Sequence, residues 1–149
     1  LANFLYTRCP GPCPLLVARL KGLRARLADE TALAFVSFSV DPLHDNPEVL
    51  SAYAALHGIG HGQWKLLTGD VQDMARLTRQ GFMLAAEAVG DQGAGKPDPE
   101  LVAQGPIIHS LRLVLVDGEL GIRGYYQSDD PRDLAKLERD VAGLLEAAS

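Results

Sequence analysis

Short apolar runs alternate with amphipathic stretches along this chain, and their periods assign the elements. Residues 2–7, centred on Phe4, Leu5 and Tyr6, read as a buried strand. From 15 to 27 the period lengthens. Leu15, Leu16, Leu20, Leu23 and Leu27 recur at helical spacing, with Arg19, Lys21, Arg24 and Arg26 between them. Residues 32–40 are rich in aromatic and β-branched side chains and too short for a core helix, so they form a second strand. The loop at 41–47 carries Pro42 and Pro47, and Pro47 opens a second helix that ends near His57 and Gly58. Residues 64–67 make a short strand. Asp70 caps a third helix that ends at Gly81. Residues 82–89 are compatible with a further strand, and the Gly/Pro-rich stretch 90–99 with a loop or hairpin tip. Residues 111–116 and 121–126 are two strands joined at Asp117-Gly118, a hairpin signal. The last helix, 131–147, has Leu134, Leu137, Val141, Leu144 and Leu145 on one face. Strands alternating with helices, then a closing hairpin, predict an α/β fold with a mixed central sheet and helices on both faces.

The totals narrow the class. A chain of 149 residues, 47% hydrophobic and 22% charged, suits one globular domain with one sizeable core, so residues 1–149 are read as a single domain. A net charge of −5 argues against nucleic acid or an anionic membrane surface as the main partner. No apolar run approaches the ~18 residues of a membrane helix, and no stretch of these residues reads as a signal peptide. The chain enters a strand directly from Leu1. The expectation is therefore that upstream residues, including the first strands and an N-terminal anchor, are absent, and that any membrane contact runs through that anchor.

Candidate chemistry concentrates at one corner. Cys9 and Cys13 are the only cysteines, and Pro10, Pro12 and Pro14 shape the turn between the first strand and the first helix. A strand end is expected to expose both thiols, and a helix N-terminus to favour their thiolates, most of all at Cys13. Such a pair can close a disulfide or bind a soft metal. Three residues separate the thiols, one more than in the thioredoxin motif, which leaves room for a metal and still permits a disulfide. This placement of thiols and order of elements matches a thioredoxin-like core.

A third ligand would come from His44, His57, His61 or His109. His109 is preferred, because it precedes the hairpin strand and the loop entering that strand lies near the first helix corner in a thioredoxin-like sheet. Two thiolates and an imidazole prefer Cu(I) and can hold Cu(II). His57 and His61 are four apart, but Gly58, Gly60 and Gly62 spoil the helix between them. His44 reads as a solvated loop residue, with a pH-dependent fourth ligand as the alternative. Asp41 and Asp45 flank Pro42-Leu43-His44 on the edge where open α/β sheets bind ligands. Asp45 is either a carboxylate supporting His109 and the metal or a turn and cap residue, and Asp41 is read as the latter. Arg8 either lowers the thiol pKa of its neighbour Cys9 or is a surface charge. Met74, Met83, Trp64 and Phe82 read as core.

The sequence resembles the Sco/SenC copper proteins over nearly its whole length. The resemblance rests on Tyr6-Thr7-Arg8-Cys9-Pro10 with Cys13-Pro14, on Ser39-Val40-Asp41-Pro42 with Asp45, Pro47 and Glu48, on Trp64 with Leu67-Thr68-Gly69, and on His109-Ser110 with Leu115-Val116-Asp117. It implies a thioredoxin-like fold and one copper per chain, held by Cys9, Cys13 and His109. It implies a partner that receives copper, such as the CuA-bearing subunit of cytochrome c oxidase, or upkeep of that centre's cysteines in reduced form. It also implies a place in the periplasm or on the outer face of the bacterial cytoplasmic membrane. The chain departs from the family in placing Gly11 and Pro12 where an acidic and a bulkier residue usually stand, and His44 where arginine is common.

Three rival readings use the same residues. A thiol–disulfide oxidoreductase would use one cysteine to attack and the other to resolve, without needing His109. A peroxidase reading is weaker, since Thr7 stands one residue too close to Cys9. A structural domain with an inert disulfide is the third.

Overall fold

The computed structural model describes residues 1–60, 62–84 and 111–147. Five strands form one mixed sheet. They are β1 (Ala2–Leu5), β2 (Phe35–Ser39), β3 (Trp64–Leu67), β4 (Arg112–Val116) and β5 (Ile122–Gln127), in the order β3-β2-β1-β4-β5. β1 runs parallel to β2, and β2 to β3, while β4 and β5 join antiparallel. Four helices complete the fold: α1 (Pro12–Arg26), α2 (Pro47–Leu56), α3 (Val71–Arg76) and α4 (Pro131–Ala147). A π-helical turn, Leu77–Gly81, extends α3 to the glycine at which the sequence ends it.

Strand alternation sends side chains to two separate cores. On one face Leu5, Phe35, Leu113 and Leu115 pack with Leu16, Leu20 and Leu23 of α1, Tyr53 of α2 and Leu137 and Val141 of α4. On the other, Ala2, Phe4 and Val114 pack with Phe82 and Leu84 beyond α3. Helices cover the first face, and the π-helical turn, through Leu77, covers the second together with the irregular segment after it. The middle of the sheet also contains polar groups. Asn3, fully buried, accepts from Ser37 Oγ at 2.8 Å, and Ser37 Oγ accepts from Trp64 Nε1 at 2.9 Å. This chain of bonds satisfies polar groups that would otherwise be costly to bury.

Three expectations are corrected. Leu15 lies outside the buried stripe of α1 and is 51% exposed, whereas Cys13 and Val17 lie within it. Phe82–Leu84 is not strand; residues 85–99 lie outside the described residues. Met83, read as core, is 66% exposed with φ of 51° at the end of the π-helical turn.

The register sets the corner. Leu5 pairs with Ser39, so β1 and β2 end side by side, and the loops that follow them leave the sheet together. One loop carries Cys9 into α1. The other carries Asp41, His44 and Asp45 into α2, where Asn46 accepts from Val49 N as N-cap and Pro47 takes the first turn.

Candidate metal centre

The cysteines are gathered by the way α1 begins. Gly11, the N-cap residue, has no side chain to offer, and Pro12 has no N–H. The Cys13 amide donates to Cys9 Sγ at 3.3 Å, so the sulfur takes the place of a capping side chain. The turn before it is closed by the Cys9 amide donating to Tyr6 O at 3.3 Å. The two thiols are unbridged, and each residue is only 6% exposed.

That burial overturns the expectation of two exposed thiols. Cys13 precedes Leu16 and Val17 by three and four residues and falls in the same buried stripe of α1. Burial pushes its thiol up to about 12; the hydrogen bond with Cys9 adds to this, and a hydrogen bond from the Tyr6 backbone opposes it. The low Cys13 pKa expected from the helix N-terminus is therefore not found. The free N–H of the helix reaches Cys9 instead.

Asp45 is completely buried and fixes the corner. Its carboxylate accepts from Thr7 N at 3.1 Å, Thr7 Oγ1 at 2.5 Å and Ser39 Oγ at 2.7 Å. These bonds tie the end of β1 to the end of β2 directly before Cys9, while Asn46 caps α2. Asp41 does turn work through its carbonyl, which accepts from His44 N and Asp45 N. Its side chain holds Arg8 at 2.7 Å and His44 Nδ1 at 2.8 Å, and Arg8 Nη2 also meets His44 Nδ1 at 2.9 Å. Arg8 is thus an exposed ion-pair partner next to Cys9.

Two tyrosines share the core cluster of the thiols. The Tyr6 hydroxyl is hydrogen-bonded to Cys9, and burial together with the charges of Cys9 and Cys13 pushes it up to about 12. Tyr53, from the middle of α2, is likewise pushed up to about 12 by burial, then by the charges of Cys13, Cys9 and Asp45. Tyr6 stands both in the first strand and in the motif that carries Cys9, whereas no sequence signal singles out Tyr53, because only tertiary folding brings α2 to the core that holds the thiols.

His109 and His61 lie outside the described residues. Among the described residues, no three His, Cys, Asp or Glu side chains are grouped to hold a metal, so His44 and His57 do not complete a set with the cysteines. His57 instead closes α2 and packs its ring 4.1 Å from that of Tyr53. The described donor set is two sulfurs, which suits a soft metal and leaves room for a third ligand.

A mixed sheet in this strand order, with a thiol pair at the first strand-to-helix corner, is a thioredoxin-like fold. The family model for SCO1/SenC matches residues 1–146, and the chain belongs to that family. A Stutzerimonas stutzeri protein, provisionally described as copper-binding, is 28% identical over 148 residues, 96% of this chain and 64% of that one. The chain spans less than two-thirds of the length of the curated relatives it matches. The solved SCO1/SenC family lipoprotein of Bacillus anthracis superposes with a TM-score of 0.75 at 28% identity, covering 97% of this chain and 79% of that one. BsSco, described as a Sco-family cytochrome c oxidase assembly protein with a disulfide switch, gives 0.70 at 26% identity, over 95% and 76%.

Proposed function

We propose that this domain carries one copper ion, held by Cys9, Cys13 and His109, and delivers it to an acceptor protein such as the CuA-bearing subunit of cytochrome c oxidase. The observation that supports it most is the pair of unbridged sulfurs held in one turn by the Cys13 amide. Family membership points the same way, as do relatives described as copper-binding and as oxidase assembly proteins. Thiolates are the ligands a soft ion requires, and metal binding would release the proton that burial holds on Cys13. His109 completes a trigonal set, and Asp45 supports it by holding the strand end that carries Cys9. The work belongs outside the cytoplasm, with the domain anchored at the membrane. The lipoprotein relative supports this placement, and no helix among the described residues is long and apolar enough to cross a membrane.

Thiol–disulfide exchange would use the same cysteines, but an attacking sulfur needs access and ionisation. Both residues are buried, and the Cys13 thiol is pushed up rather than down. The two roles separate at His109. Copper-loaded His109→Ala protein should fail to fill a dithiol acceptor domain, while its exchange with a small disulfide continues at close to the wild-type rate. Normal filling of the acceptor by His109→Ala would transfer the assignment to the oxidoreductase.

A further inference from the structure

The exposed rim of the thiol corner carries chemistry that the metal site does not use. Pro10 and Gly11, in the turn between the two cysteines, are exposed, and so is Arg8, which directly precedes Cys9. The Arg8 guanidinium is gripped along one edge. Asp41 Oδ2 accepts from Nη2 at 2.7 Å and from Nε at 3.2 Å. His44 Nδ1 lies 2.9 Å from the same Nη2 and 2.8 Å from Asp41 Oδ1. Asp41 is 11% exposed, whereas Arg8 is 54% and His44 51% exposed, so the carboxylate sits inside and the two nitrogen-bearing side chains outside. Nη1 of Arg8 and Nε2 of His44 enter none of these bonds. Leu43, between Asp41 and His44 in the chain, is 79% exposed.

We propose that this rim is the docking surface for the copper-receiving protein, and that Arg8 and His44 together bind a carboxylate of that protein beside an apolar contact at Leu43; this rests on the copper role above and deepens it. An ion held by thiolates leaves by ligand exchange, so the acceptor's ligands must reach the sulfurs. The acceptor then covers the exposed residues next to Cys9, and Arg8 is the first of them. The planar fork of a guanidinium fits a carboxylate, and Asp41 holds that fork in place beforehand, which reduces the entropy lost on binding. A neutral imidazole has one N–H. A carboxylate at Nε2 selects the form with its proton there, which leaves Nδ1 to accept from Arg8. The chain as a whole carries −5, so two exposed nitrogen-bearing side chains beside the thiols turn an acidic patch towards this corner. Leu43 adds apolar area that leaves water on contact.

Each variant is loaded with copper, and transfer to the reduced, metal-free CuA domain of an oxidase subunit is followed against the concentration of that domain. Arg8→Ala and Leu43→Asp should each raise the half-saturating concentration about tenfold, while competition with a chelator shows an unchanged hold on copper. Added salt should weaken the wild type and leave Arg8→Ala nearly unaffected, because the contact it screens is the one Arg8 makes. Leu120→Asp is the control. That leucine is 84% exposed, and β4 runs antiparallel to β1, so the turn after β4 lies at the other end of the sheet from the thiols. It should transfer copper as the wild type does. An unchanged half-saturating concentration in Arg8→Ala and Leu43→Asp, or an equal shift in Leu120→Asp, overturns the proposal. If the wild type takes up no copper, the copper reading fails, and calorimetry of the metal-free proteins with the same CuA domain decides on the rim. The wild type should then bind, and the two rim variants about tenfold more weakly. No binding by the wild type, or equal binding by all, overturns the docking surface.

Discussion

Cys13 stands one helical turn before Leu16 and Val17, and that spacing takes its thiol out of water. An unfolded thiol of this kind has its ordinary value of 9.0, whereas the folded one is pushed up to about 12. Between those values the unfolded chain gives up a proton that the folded chain keeps. Stability is therefore full below pH 9 and falls as the pH rises towards 12. Denaturant unfolding of the reduced, metal-free protein at about pH 8 and about pH 10.5 should show this fall, to which the raised tyrosines Tyr6 and Tyr53 also contribute, and Cys13→Ala should make it shallower. Equal slopes in both proteins would contradict it. Asp45 offers a second test at this scale. Its three bonds to Thr7 and Ser39 lie in a fully buried site, so Asp45→Ala should cost roughly 3 kcal/mol in urea unfolding. A loss under roughly 0.5 kcal/mol, as for a surface residue, would contradict that role. The cysteines were legible because their spacing is itself the signal. Tyr53 was not, since its place in the core comes only from α2 packing beside the sheet.

The elements followed their periods closely where one face is buried. The strand read at 64–67 and the helix read at 131–147 have the bounds of β3 and α4. In α4, Leu137 and Val141 are buried and Leu134, Leu144 and Leu145 pack at the margin, as the pattern requires. Where the pattern offered two adjacent leucines, Leu15 and Leu16, spacing could not tell which one faces inward. Packing against the sheet turns Leu16 in and leaves Leu15 half-exposed. The strand reading is not met over Phe82–Leu84 for another reason. Phe82 and Leu84 are apolar because they cover the second face of the sheet from an irregular segment, which the alternation of a strand can imitate. Leu137→Ala should therefore destabilise by about 2–5 kcal/mol, and Leu15→Ala by less than about 0.5 kcal/mol. Thermal or denaturant unfolding of the two variants checks both, and similar losses would contradict the assignment of the inward face.

Across the whole molecule, strand order places the chemistry. β1 and β2 are central and parallel, so their C-terminal ends open at one edge of the sheet, where the thiol turn and the Asp41–Asp45 loop meet. The order of helices and strands carried enough of this to give the thioredoxin-like fold, and motifs scattered from Tyr6 to Asp117 carried the family. Copper as cargo is the central claim, and a Cu(I) titration of the reduced protein against a competing chelator tests it most directly. One tightly held ion per chain is expected in the wild type, with strong weakening in Cys9→Ser, Cys13→Ser and His109→Ala, and no change in His57→Ala or His61→Ala. No uptake by the wild type, or full affinity in His109→Ala, would contradict it.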